Sequence, residues 1–276
     1  MSTKRKNMTR RNFLTSAGTA AAFTIVPRHV LGGAGFTSPS DKLNIACIGV
    51  GGRGGAQVGG CSGENLVALV DVDEGRAGAN FNKFPAAKKY TDFRKMFDDM
   101  TDKIDAVCVS TPDHTHAVAV MAALKRGKHV YCEKPLAHSI WEIRQMMAEA
   151  KKQNVVTQLG NQGHSSSSIR KLCEWIWDGA LGDVHTVHAR CDANHNKVNL
   201  FGRRNNTVAV PSELDWDLWQ GPVKTRSFEP MYIRGAWRGW SPYGSGTIGD
   251  WICHVVDPVF WALDLGSPTS VRAECD

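Results

Sequence analysis

Between residues 43 and 160 the apolar positions fall into short runs at 43–48, 66–70, 106–110, 129–132 and 155–159, with a poorer run at 88–90. Short runs bounded by glycine, proline or acidic residues read as buried strands. Between them, helical spacing predicts amphipathic helices over 114–126 and 139–153. Strands alternating with helices predict an α/β fold, a doubly wound parallel sheet whose ligands sit beyond the carboxyl ends of its strands. The loops that follow residues 110 and 132 therefore belong to the ligand side.

The first strand ends in Gly49-Val50-Gly51-Gly52-Arg53-Gly54, a G-x-G-x-x-G loop. Gly49 allows the tight turn, Gly51 lets backbone approach a pyrophosphate, and Gly54 lets the next helix pack on the strand. Asp71 closes the second strand, 20 residues beyond Gly51, where a carboxylate can accept the ribose hydroxyls of a dinucleotide. That carboxylate favours NAD. Arg53 and Arg76 keep NADP as the alternative, because either cation suits a 2′-phosphate.

Charge changes the picture at the N-terminus. Residues 1–40 hold six of the 33 basic residues and none of the 27 acidic ones, so the rest of the chain carries equal numbers of both. No basic excess is left to read a phosphate backbone, and nucleic acid is excluded as the expected partner. Thr9-Arg10-Arg11-Asn12-Phe13-Leu14 and the weakly apolar 17–26 segment resemble a twin-arginine export signal, with Gly32-Gly33-Ala34 as a candidate cleavage site. The expected partner is the export machinery, the expected location periplasmic, and the expected cargo a folded protein with its cofactor loaded. The eight cysteines show neither C-x-x-C pairs nor metal-ligand spacing. His185 and His188 fall on opposite sides of an expected strand, His195 lies beyond, and no metal is expected.

Four motifs in this order, the glycine loop, Ser110-Thr111-Pro112-Asp113-His114-Thr115-His116, Glu133-Lys134-Pro135 and Gly249-Asp250-Trp251-Ile252-Cys253-His254, resemble the glucose-fructose oxidoreductase / inositol dehydrogenase family, Gfo/Idh/MocA. The resemblance implies a Rossmann domain over 41–162, after a signal region at 1–34. It implies a second, α+β domain with an open, mainly antiparallel sheet over 163–276. Because the chain stops at Asp276 within an expected strand at 270–275, that domain is expected to be incomplete. Pairing of two chains through the second-domain sheet is the implied assembly.

Chemically, the resemblance implies that Lys134, Asp250 and His254 form the reacting set. The Lys134 ammonium stabilises charge on the reacting oxygen, and His254 takes the hydroxyl proton. Asp250, one helical turn before His254, orients it or binds a neighbouring hydroxyl if 250–265 is a helix. Lys134-Pro135 is expected as a cis bond. Thr111, Pro112, His114, His116 and Glu133 join the glycine loop and Asp71 on the cofactor side, while Gln158, Asn161 and Gln162 form a polar crossover into the second domain. Aromatic faces suit sugar rings, so Trp237, Trp240 and Tyr243 are candidate substrate contacts. The implied activity is hydride transfer between a sugar or polyol carbon and a tightly held nicotinamide. Two rivals stand beside it: an NAD-dependent retaining glycosidase acting on α-N-acetylgalactosaminides, and a sugar-binding module without catalysis.

Overall fold

A computed structural model describes residues 37–191, 208–233 and 235–274. The export-signal segment, His195 and Cys275 lie outside the described residues. By their contacts the residues divide into two units, Met1–Lys42 and Leu43–Asp276. The second unit holds the sheet and the helices packed on it.

Six parallel strands form one sheet in the order β3-β2-β1-β4-β5-β6. They are β1 Asn44–Ile48, β2 Asn65–Val70, β3 Lys88–Tyr90, β4 Ala106–Val109, β5 His129–Glu133 and β6 Thr157–Gly160. All six runs read from the sequence are strands, including the poor one. The intervening helices are α1 Gly54–Gly60, α2 Glu74–Lys83, α3 Phe93–Met100, α4 Asp113–Leu124 and α5 Ile140–Gln153. Strand order reverses between β1 and β4, and at such a switch point the loops diverge and leave a crevice.

Local chemistry sets the boundaries of these elements. Ser139 and Glu142 form a reciprocal capping box that starts α5, and Asn154 ends it in the left-handed region. Asp73 and Asp92 cap α2 and α3 by accepting backbone N–H bonds from Arg76 and Arg94. The central strands are buried on both faces: Ala46, Ile48, Val107 and Val109 pack under α4, while Cys47, Leu69 and Cys108 pack under α1 and α2. Each fully buried Leu or Val contributes roughly 1.5–3 kcal/mol.

Beyond β6 the described residues are helical or irregular: α6 Ser167–Trp177, α7 Trp216–Gln220, α8 Gly246–Val255 and α9 Asp257–Ala262. The antiparallel sheet expected here is not among them. Residues 184–190 form no strand, so the opposite-sides argument for His185 and His188 does not apply; both are exposed. Described residues of the expected 270–275 strand are irregular too. The helix expected to run from Asp250 to 265 breaks at Val256, because Pro258 has no N–H for the preceding turn and instead opens α9. An aromatic core of Trp219, Phe228, Tyr232, Trp237, Trp240 and Tyr243 packs this region together. Among the described residues, no helix is long and apolar enough to cross a membrane.

Candidate active site

A cleft of about 630 Å³ opens at the β1/β4 switch point. Its floor is the glycine loop. Gly49 adopts φ +79°, and a Cβ there would press on the Ser110 carbonyl at 2.8–2.9 Å. A Cβ on Gly54 would land on the Gly49 carbonyl oxygen, so α1 can approach the strand only through glycine. Asp71 lies against the loop: one carboxylate oxygen accepts the Val50 and Gly51 N–H groups at 2.8 Å each, and the other accepts from Asp73 N–H at 3.0 Å. A carboxylate offers about four lone-pair positions, so one is left for a ligand hydroxyl. Burial pushes the Asp71 carboxyl up, and the three N–H donors oppose that.

Across the crevice, Ser110, Thr111 and Pro112 line the opposite wall. The Ser110 and Thr111 hydroxyls are buried and have no hydrogen-bond partner among the described residues. A bare backbone cradle, a carboxylate with spare capacity and two unpaired hydroxyls fit a dinucleotide. Glu133 and Arg53 also line the cleft, with Arg53 Nε 3.7 Å from the Glu133 carboxylate. Gln57 and Gln162 donate to the other Glu133 oxygen. Gly52 and Gly54 do not line the cleft.

The candidate reacting groups line the same cleft. Lys134 Nζ donates at 2.5 Å to the Asp250 carboxylate and at 2.5 Å to its backbone carbonyl. Arg238 Nε lies 3.1 Å from the second carboxylate oxygen. Asp250 is thus held between two cations. Burial opposes its charge, but Lys134 and Arg238 prevail and hold the carboxyl below its ordinary range. His254, one turn further along α8, also lines the cleft. Burial and the Lys134 charge push its imidazole down, against the pull of Asp250, which leaves it neutral and able to accept a proton near pH 7. The Lys134-Pro135 peptide is cis.

Other expected site residues are elsewhere. His114 and His116 are 2% and 1% exposed and lie inside the first turns of α4, away from the cleft. His114 bridges the Trp219 and Tyr243 carbonyls at 2.9 and 3.2 Å, and burial lowers it to about 4. His116 Nδ1 and Nε2 face the Pro135 and Thr111 carbonyls at 2.7 and 2.8 Å. Burial opposes a charge on that ring, yet Cys132, Asp113 and the Pro135 carbonyl outweigh it and raise His116 to about 9. Both histidines brace the site rather than face a ligand.

Trp240 and Tyr243 are core residues, 6% and 0% exposed. They pack with Tyr232, whose ring centroid is 5.1 Å from that of Trp240 and 5.3 Å from that of Tyr243. Of the three proposed aromatic contacts only Trp237 lines the cleft, with the Arg238 guanidinium 4.3 Å from its ring centre. Arg238 is the site residue that sequence reasoning missed; its position beside Trp237 was the available signal. Asn161 donates to the Cys253 carbonyl at 2.9 Å, tying the crossover to α8, and Gln162 joins the cleft wall. Gln158 stays on the strand edge and bonds the neighbouring Leu159 carbonyl.

Residues 43–161 match the model of the Gfo/Idh/MocA oxidoreductase family, NAD-binding Rossmann fold, and residues 165–276 match that family's C-terminal alpha/beta domain. The chain belongs to the Gfo/Idh/MocA family. Its Rossmann domain is therefore an NAD-binding one. Among Gfo/Idh/MocA relatives, myo-inositol 2-dehydrogenase of Thermotoga maritima is 32% identical over 153 residues, covering 52% of this chain and 44% of its own. Inositol 2-dehydrogenase of Rubrobacter xylanophilus is 32% identical over 205 residues, covering 71% and 56%. The chain spans about half the length of the curated relatives it matches. The crystal structure of GenD2 from gentamicin A biosynthesis, in complex with NAD, shares the fold at a TM-score of 0.58 and 22% identity over 87% of this chain and 56% of that one.

Proposed function

We propose that the chain is the cofactor-binding and reacting part of an NAD-dependent oxidoreductase that acts on a secondary hydroxyl of a sugar or polyol. The observation that carries this is that Lys134, Asp250, His254 and Arg238 line the same cleft as the glycine loop and Asp71. When bound, the nicotinamide supplies a hydride acceptor. Gly49, Gly51, Asp71, Ser110 and Thr111 would hold the dinucleotide. His254 accepts the substrate hydroxyl proton, and the Lys134 ammonium donates a hydrogen bond to the oxygen as charge develops on it. Asp250 fixes the ammonium and, by its charge, keeps the imidazole basic enough to work. Arg238 prevents Lys134 from neutralising the carboxylate alone and presents a second donor to a polyhydroxylated substrate. The substrate class follows the inositol dehydrogenases that this chain resembles.

The test is a panel of polyols and sugars, beginning with myo-inositol, with NADH formation as the readout and native mass spectrometry reading bound nucleotide. NADH formation on at least one member supports the reading. Nitrophenol release from α-glycosides without net NADH would move it to the glycosidase, and silence in both assays with nucleotide bound would leave a binding module. The export reading belongs to the same proposal: the paired arginines send the folded, cofactor-loaded protein across the membrane.

A further inference from the structure

Three cysteines far apart in the sequence meet beneath the glycine loop. Cys47 on β1 and Cys108 on β4 are register partners in adjacent parallel strands, so their side chains lie side by side on one face of the sheet. Cys61 closes the C-terminal end of α1 over the same face. The three sulfurs all lie within 4.8 Å of one another, and those of Cys61 and Cys108 are 3.6 Å apart. Cys47 and Cys108 are buried in the core with Val58 and Leu69, whereas Cys61 is partly exposed.

We propose that Cys47, Cys61 and Cys108 form a three-sulfur site for a soft monovalent cation, copper(I). Three thiolate ligands around an ion at roughly 2.3 Å stand roughly 4 Å from one another in a trigonal plane, which is the size of this triangle. Soft thiolate ligands suit copper(I), zinc and iron–sulfur clusters, and the coordination number separates them. Zinc asks for a fourth ligand, and among the described residues no histidine, aspartate or glutamate joins the three sulfurs. Binding exchanges thiol protons for the ion and changes no oxidation state. Cys47 precedes Gly49 by two residues and Cys61 directly follows α1, so the ion clamps both ends of the loop-helix unit that cradles the dinucleotide. The site is independent of the hydride chemistry.

The experiment is anaerobic titration of the reduced chain with copper(I) against bicinchoninate, followed by X-ray absorption. One equivalent retained per chain, with three sulfur neighbours at roughly 2.3 Å, is expected. Cys61→Ser, at the most exposed position, should weaken retention at least about tenfold with an unchanged circular dichroism spectrum, as should Cys108→Ala. Cys173→Ala, a buried cysteine outside the cluster, should retain the ion. The proposal is overturned if the wild type yields its copper to the chelator as readily as Cys61→Ser does. It is also overturned if the bound ion has two or fewer sulfur neighbours, or if zinc is taken up four-coordinate in its place.

Discussion

The Lys134 ammonium reaches across 116 residues of sequence to grip Asp250 twice, at the carboxylate and at the backbone carbonyl, each at 2.5 Å. Lys134 directly follows β5 and Asp250 lies in the middle of α8, so this pair joins the Rossmann half to the helix that carries His254.

Asp250→Asn removes the charge that both Lys134 and Arg238 face. Breaking a buried pair by neutralising one member costs about 3–5 kcal/mol, and urea unfolding at pH 7 should show a loss of that order. Because the carboxyl is held low in the folded state, the stability it contributes is full above the unfolded value of about 3.9 and is lost as pH falls through the lower folded value. The difference between wild type and variant should therefore shrink below about pH 4. An undiminished difference there would assign the loss to packing.

His254→Ala should lower turnover by about 10²–10⁴-fold, the contribution of a positioned general base. Dinucleotide affinity should change by less than about 0.5 kcal/mol. In the wild type the acid limb of the rate profile should lie below the ordinary histidine value of about 6.5, since burial and Lys134 push the imidazole down. Asp250→Asn should move that limb lower still, because Asp250 opposes the downward push. Steady-state rates over pH 4–9 against isothermal titration with NAD separate the two roles.

Asp71→Ala should do the reverse. It strips the loop of an acceptor for three N–H groups and removes the spare ribose acceptor, so nucleotide should be lost on purification while His254→Ala retains it. Native mass spectra of the two variants side by side decide this. Equal nucleotide content in both would remove the role assigned to Asp71.

His116 gives a pH dependence of stability with the opposite sign. Its folded value of about 9 lies above the unfolded value of about 6.5, so its contribution is complete below about pH 6.5 and is lost as pH rises through 9. The shift corresponds to about 3 kcal/mol between those limits. Asp113, Cys132 and His114 face the ring, and wild type is best compared with His116→Gln between pH 6 and 10. The gap between the two should be widest at pH 6; a constant gap would show that folding leaves the affinity of the ring for a proton unchanged.

Replacing Arg10 and Arg11 by lysine should abolish appearance of the protein in the periplasmic fraction while cytoplasmic nucleotide loading persists. Unchanged fractionation would remove the export reading and leave the oxidoreductase reading standing.

The periodicity of residues 43–160 determined the six strands, their parallel alternation with helices and the glycine loop, because these depend on spacings within one strand or one turn. The glycines at 49 and 54 and the shared face of Asp250 and His254 are legible for the same reason. Motif resemblance carried Lys134 and Asp250 to one site, but the neighbours of that site needed coordinates. Arg238 reaches Asp250 from a single 3-10 turn, Ala236–Gly239, too short to carry a periodic pattern. His114 and His116 resemble site ligands in sequence, yet Trp219 and Tyr243 close over the first and the Pro135 and Thr111 carbonyls take the second. Trp240 and Tyr243 were drawn into an aromatic core with Trp219, Phe228, Tyr232 and Trp237. Cys47, Cys61 and Cys108 have no ligand spacing, because strand pairing between β1 and β4 brings two of them together. Short-range hydrogen bonding and backbone sterics are written in consecutive residues. Burial and long-range pairing depend on which surfaces close on one another, and only the folded chain decides that.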